Sequence, residues 1–353
     1  MKKIAILSVG DYRHITMISK YTNYFDKNNV EYEVICADRY NDGTERERVR
    51  QFSFPNSQNK ITKMLAFLKF RSWAIAEIKK KKYDFIVVWN ENTALLFADF
   101  LLMNYKNRYC INIRDVDFLN QRVLNIARGL VIRNSFFSTY CSTAPLDFPK
   151  GYQYYLMRSM NLEVLKDVSK RIGFIPKDVP IKIGFLGKVR FPEANDEIIR
   201  AFGNDSRYEL YFIGAGSDTL ERYLKEYNNL HLIGKYEPEE TAKYLDSLDV
   251  INSYFGTKVL GYERMSSIRF SYAPYMHVPV IVGTDTNMEE EGNKYGFAYG
   301  FGKCSIDKEA DSFYKWYCSR DIDEFIRGCE LYCEDVERTD EAFYHKMEEA
   351  LKG

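Results

Sequence analysis

The chain has 353 residues, 46% of them hydrophobic, which is more than one core usually serves and enough for two. No run approaches the roughly 20 uninterrupted apolar residues of a membrane span. The seven Cys form no Cys-x-x-Cys pair and have no His at zinc spacing, which argues against a zinc module and predicts reduced thiols and no metal.

Formal charge is zero, yet residues 1–175 hold 28 Lys and Arg against 17 Asp and Glu, and the remainder holds 22 against 33. The halves thus carry +11 and −11. This asymmetry points the first half towards an anionic surface, lipid or nucleic acid, unless two solvated surfaces simply differ. Nucleic acid is set aside, because the basic residues belong to no recognised binding module.

Read in chain order, MKKIAILSV is a basic start and an apolar run without a small-residue cleavage site. It predicts a buried first strand in a protein that is not secreted. A helix over about His14 to Lys27, the strand YEVICA, a polar loop and a basic helix over Lys60 to Lys82 follow. Next come the strand DFIVVW, a helix from Thr93, the strand RYCINI, a helix over Leu119 to Arg133 and the strand FFSTYC. Alternation of this kind predicts a parallel sheet covered on both faces.

The pattern weakens through 161–180 and restarts with IKIGFLG. Helices near Glu193 to Phe202, Thr219 to Tyr227, from Pro238, and near Ser267 to Met276 alternate with YELYFIG, LHLIG, DVIN and VPVIVG. The expected organisation is α/β: two tandem Rossmann-like domains, 1–160 and 181–338, joined by a linker at 161–180 and facing across a cleft. A last helix, roughly Glu341 to Leu351 within 339–353, has Phe343, Met347 and Leu351 in one stripe and is expected to return to the first domain.

Glycine ends each strand of the second half: Gly187 in FLGKVR, Gly214 and Gly216 in FIGAGS, Gly234 in LIGKY, Gly283 in IVGT. Glycine there lets a phosphate approach the backbone, although tight turns after strands use it too. Lys188 and Arg190 follow Gly187 at once, two cations suited to a diphosphate.

In order and spacing, IGFLGKVR, YFIGAGS, LHLIGKYEPEETAKYLDSLDV and RMSSIRFSYAPYMHVPVIVGT resemble the nucleotide-sugar domain of GT-B glycosyltransferases over about residues 181–301. The resemblance implies Gly187, Lys188 and Arg190 near a donor diphosphate, Gly214 and Gly216 near the nucleotide, and Lys235 and Tyr236 beside the base. It also implies a helix entered at Ser266 and Ser267 that points its amides at the phosphates, with Arg269 nearby. The donor is a nucleoside diphosphate sugar, with no further cofactor.

The family 4 branch carries two glutamates eight positions apart before the Pro-Val-Ile segment. Here Arg264 and Tyr272 stand at those positions, with Glu263 one residue off, and Glu193 replaces that branch's lysine. The donor site is therefore carried over without the retaining mechanism. INIRDVDF and the Ser-Thr-Ala-Pro stretch from Ser142 are similar to bacterial capsular and surface-polysaccharide transferases, implying a glycan or lipid-linked acceptor.

Inverting transfer needs a base on the acceptor side. His14 in GDYRH follows the first strand, a position similar to that of the base histidine in the glucuronosyltransferase type; a capping or surface role is the alternative. Asp115 and Asp117 follow RYCINI, where they suit either an orienting acid or a helix cap, and Asn90 and Glu91 end VVW.

Residues 60–82 hold eight Lys or Arg and one acid. Ile61, Met64, Leu65, Leu68, Ile75 and Ile78 are expected on one face, with Phe67, Phe70 and Trp73 partly off it. Such a helix either lies on an anionic membrane surface or packs its stripe on its own sheet. The expected place is the cytoplasm, with peripheral contact at the inner face of the membrane. The rival readings are a nucleotide-sugar epimerase of the same architecture and a non-catalytic nucleotide-sugar-binding subunit.

Overall fold

A computed structural model of the chain describes residues 2–15, 17–40, 45–54, 59–114, 122–143, 149, 151–173, 178–256, 264 and 266–352. Two compact units emerge, one made of residues 1–141, 146–157 and 338–353, the other of 142–145 and 158–337.

The first unit contains β1 (Lys3–Ser8), α1 (Ser19–Lys27), β2 (Glu31–Asp38), β3 (Val49–Ser53), α2 (Lys60–Lys81), β4 (Phe85–Trp89), α3 (Glu91–Leu96), α4 (Ala98–Asn104), β5 (Tyr109–Ile113), α5 (Arg122–Arg133), β6 (Phe137–Tyr140) and β7 (Tyr154–Leu156). Its seven strands are parallel and ordered β3-β2-β1-β4-β5-β6-β7. β1 and β4 are continuous apolar runs because both faces of their sheet are covered.

The second unit contains α6 (Leu162–Lys166), β8 (Ile181–Leu186), α7 (Pro192–Phe202), β9 (Tyr208–Ile213), β10 (Leu230–Ile233), α8 (Thr241–Asp246), β11 (Val250–Asn252), α9 (Ile268–Met276), β12 (Val280–Gly283), α10 (Asn287–Lys294), β13 (Ala298–Phe301), α11 (Ile306–Ser319) and the start of α12 (Ile322–Lys352). Its six parallel strands run β10-β9-β8-β11-β12-β13. Arg158, buried here, pairs with Glu291 and Asp335 at 2.7 Å each.

Several elements differ from the sequence reading. The helix expected from His14 begins only at Ser19. Asp11 caps a separate 3₁₀ turn, Tyr12–His14, by accepting from the Arg13 amide. The expected helix over Thr219 to Tyr227 is a 3₁₀ turn, Ser217–Tyr223, in which only Ser217 and Leu220 are buried. The polar loop after β2 contains β3, an edge strand whose half-buried VRQFS lacks an apolar run.

The last helix is 31 residues long rather than one beginning near Glu341. Its final part, 338–352, belongs to the first unit. There Phe343 meets Tyr21 and Phe137 at ring distances of 5.1 and 6.1 Å, and Tyr344 stacks on Tyr24 at 5.0 Å.

Beneath these rings the fully buried Lys20 ammonium donates to Asp340 at 2.7 Å. Removing one partner of a buried pair leaves the other charge without compensation, at a cost of about 3 to 5 kcal/mol. Asp340→Ala should therefore lower the melting temperature markedly, and Lys20→Met added to it should restore most of the loss. Calorimetry of the three variants checks this.

Candidate functional site

Ligands on open parallel sheets bind beyond the carboxyl ends of strands, where the strand order reverses. In the second unit that point lies between β8 and β11, and the loops leaving β8, β9 and β10 are tied together beside it. The Gly187 amide donates to Ile213 O at 2.9 Å, Gly214 N to Ile233 O at 2.8 Å, and Val189 N to Ala215 O at 2.9 Å. Gly214 has φ +138°, and a Cβ there would lie 2.0 Å from Gly187 O, so only glycine permits this approach. Gly187 and Gly216 also have positive φ, at +113° and +93°.

The loop 187–191 exposes Lys188 and Arg190 and buries Val189. It ends at Phe191, held in the left-handed region at φ 63° immediately before Pro192 opens α7. A bulky residue in that region is uncommon and strained. The Asn195 side chain, donating to Arg190 O at 2.8 Å, and the Phe255 ring, 5.3 Å from Phe191, hold the turn in place.

Arg269, in the first turn of α9, projects into this corner. Its guanidinium lies 3.8 Å from the Phe185 ring centre and 5.1 Å from that of Phe255, and Nη1 donates to Leu186 O at 2.6 Å. Arg269 has no acidic partner among the described residues, and its enclosed Nε has no acceptor. Burial, with Arg190 nearby, pushes its pKa down to about 9, so the group is still cationic at neutral pH. Among the described residues, the positive charge of Arg269 beside Gly187 thus has no compensating acid.

α9 begins at Ile268. Ser267 caps it, accepting from Phe270 N at 3.0 Å, and its hydroxyl lies 2.6 Å from that of Ser253 beyond β11. Ser266 is buried, with a hydroxyl that has no partner among the described residues. Tyr236 is half-buried against Tyr244 at 5.1 Å, and burial raises its pKa. Lys235 is 78% exposed and lies 3.8 Å from Glu237, so Tyr236 is the enclosed member of that pair. Tyr272 is in the core.

Loop approaches and the α9 terminus therefore bring Gly187, Gly214, Gly216, Ser267 and Arg269 to one corner. The aromatic cradle of Phe185 and Phe255 and the strained Phe191 were not foreseen. Sequence offers no signal for the cradle, because its two rings are distant along the chain.

In the first unit the strand order reverses between β1 and β4. Asp11, fully buried, accepts from Arg13 Nε at 2.9 Å and from the amides of Arg13 and Arg39. Burial alone would raise its pKa, but these donors prevail and hold it below the usual carboxylate value. His14 is exposed, with Nε2 2.8 Å from Tyr40 Oη.

Asn90, at φ 66°, caps α3, and Glu91 is buried against Arg128 at 2.7 Å, which gives both a structural role. Asp115 and Asp117 lie outside the described residues. The guanidinium of Arg114, immediately before them, stands over Trp89 at 5.7 Å.

No protein-family model matches the chain, and no curated protein matches its sequence. Its fold has solved relatives. Sucrose-phosphate synthase from Thermosynechococcus elongatus superposes over 100% of this chain and 98% of its own, with a TM-score of 0.73 and 13% identity. HepE of Anabaena, solved with UDP and glucose, covers 100% of both chains at TM-score 0.66 and 12% identity. The UDP-GlcNAc 2-epimerase of Methanocaldococcus jannaschii covers 96% of this chain and 100% of its own at 0.57 and 13%.

The chain has the GT-B fold. Because transferases and an epimerase share GT-B architecture at such low identity, the chemistry has to be argued from side chains.

The Gly214 approach is directly testable. Gly214→Ala places a methyl group against Gly187 O at a φ that alanine avoids. It should destabilise the second unit by about 2 kcal/mol or more, and urea unfolding measures the loss.

Proposed function

We propose that the chain transfers a sugar from a nucleoside diphosphate sugar to a bacterial cell-surface glycan acceptor carried on lipid, as in capsule or exopolysaccharide assembly. The observation that carries this reading is the Arg269 cation beside Gly187 at the β8–β11 reversal, which has no acidic partner among the described residues. A diphosphate supplies the missing anion, with Arg190 and Lys188 at its open side and the α9 amides behind Ser267 facing its charge. Gly216 lies by the nucleotide, and Tyr236 with Lys235 by the base.

In the transfer, the acceptor oxygen forms a bond to the anomeric carbon and the bond from that carbon to the diphosphate oxygen breaks. The diphosphate leaves with the electron pair, stabilised by Arg269 and Arg190. The acceptor proton passes to a base on the first unit. His14 is assigned that role, with Asp115 and Asp117 serving acceptor binding or orientation. The enzyme works in the cytoplasm at the inner face of the membrane.

A second reading, nucleotide-sugar epimerisation, is favoured by the epimerase among the fold's relatives. It predicts conversion of donor with no acceptor present, whereas transfer requires one. Donor binding without turnover in either assay would instead favour a non-catalytic subunit.

Donor recognition is read first. Nucleotide sugars should raise the melting temperature, and Arg269→Met and Arg190→Ala should each weaken donor binding by about 1 to 3 kcal/mol. Unchanged calorimetric affinity in both variants removes the diphosphate from this corner.

For the base, His14→Gln should reduce kcat by roughly 10²- to 10⁴-fold while leaving donor affinity intact. It should also abolish the acidic limb of the pH–rate profile. An unaltered profile shifts the assignment to the Asp115 segment.

A further inference from the structure

Along its length α2 is apolar on two different sides. Towards the core it buries Phe70, Ala74 and Ile78, with Phe67 and Trp73 half-buried beside them. On the outward side, where a solvated helix carries polar groups, stand Ile61, Met64, Leu65 and Leu68, exposed by 67, 57, 51 and 46%. This corrects the single stripe expected from sequence, because Ile61 to Leu68 face away from the residues that pack. Their i, i+3, i+4, i+7 spacing makes one continuous row about 10 Å long. Further along, the same side turns polar at Ser72 and Lys79.

The charge around the row is of one sign. Lys60 and Lys69 are exposed at its two flanks, Lys63 is exposed on the opposite side of the same turns, and no Asp or Glu occurs between Glu47 and Glu77. Its place is also defined. β3 runs parallel to β2, so α2 starts at the carboxyl edge of the sheet. Phe67 lies under Arg39 at 5.9 Å there, next to the Tyr40 that meets His14.

We propose that Ile61, Met64, Leu65 and Leu68 insert into the surface of an anionic lipid bilayer, with Lys60 and Lys69 at the headgroups. The first turns of α2 thereby dock the acceptor edge of the first unit on the membrane. Apolar side chains flanked by lysine match the boundary between acyl chains and acidic headgroups. The Lys79–Lys82 run, at the opposite end of α2, is outside the docking surface. This extends the membrane placement proposed above, but it is read without donor or acceptor, so its failure leaves the sugar-transfer reading standing.

The test is flotation of the full chain with vesicles of phosphatidylglycerol and phosphatidylcholine in equal parts, and with phosphatidylcholine alone. Ile61→Glu with Leu65→Glu should bind the mixed vesicles at least about tenfold more weakly while keeping the wild-type melting temperature, since both positions are exposed. Lys79→Gln with Lys80→Gln should bind like wild type. High salt should weaken wild-type binding without abolishing it, because screening does not reach inserted apolar groups.

Equal binding by the Glu variant, or loss of binding in the Lys79 and Lys80 variant alone, overturns the proposal. So does a wild-type dimer that the Glu variant converts to monomer with vesicle binding unchanged, for then a second copy covers the row.

Discussion

Every paired strand in both sheets runs in the same direction, and the placement of the chemistry follows from that constraint. Parallel strands need a crossover between each pair, so every strand releases its chain at one edge and receives it back at the other. All turns that follow a strand then share an edge, and where the order reverses two of them part and leave a gap. In the second unit that gap lies between β8 and β11. The carboxyl edge receives Gly187, Gly214 and Gly216 without any further device, because each directly or closely follows its strand.

The same constraint explains why glycine recurs there. Neighbouring turns meet backbone to backbone, as at Gly187 and Gly214, and the added-Cβ distance of 2.0 Å leaves no room for a side chain. Amide groups at this edge are near what approaches it, with α9 adding the positive end of its dipole. An edge built this way favours an anion before any charged side chain is counted. Arg190, Lys188 and Arg269 add full charges to an already positive environment.

What was legible in the sequence follows from the range of each signal. Strand-end glycines, the apolar runs of β1, β4 and β8, and the two-domain restart are local, and the structure has those elements where periodicity put them. β3 escaped because an edge strand needs no apolar run. The 3₁₀ turn at Tyr12–His14 escaped because Asp11, which detaches it from α1, reads as an ordinary loop residue. The aromatic cradle of Arg269 joins β8 to the turn after β11, and no local pattern encodes such a meeting. In α2 the periodicity is real but leaves open which apolar residues pack, since Ile61 and Phe70 are equally apolar and only packing separates them.

The buried cations and the partly buried Arg269 are matched differently. Lys20 with Asp340, Arg128 with Glu91, and Arg158 with Glu291 and Asp335 are each matched by carboxylates, so their desolvation is offset within the fold. Arg269 is held by a carbonyl and two aromatic faces, which orient a guanidinium but supply no negative charge. Partly enclosing a cation with no acid among the described residues costs free energy that packing elsewhere has to offset, and strain at Phe191 nearby adds to that cost. Both costs fall at one corner, on the edge where backbone amides and exposed Arg190 already favour an anion. The proposed diphosphate would compensate a charge that no acid among the described residues matches, so the strain and the desolvation at this corner are offset when that ligand is bound.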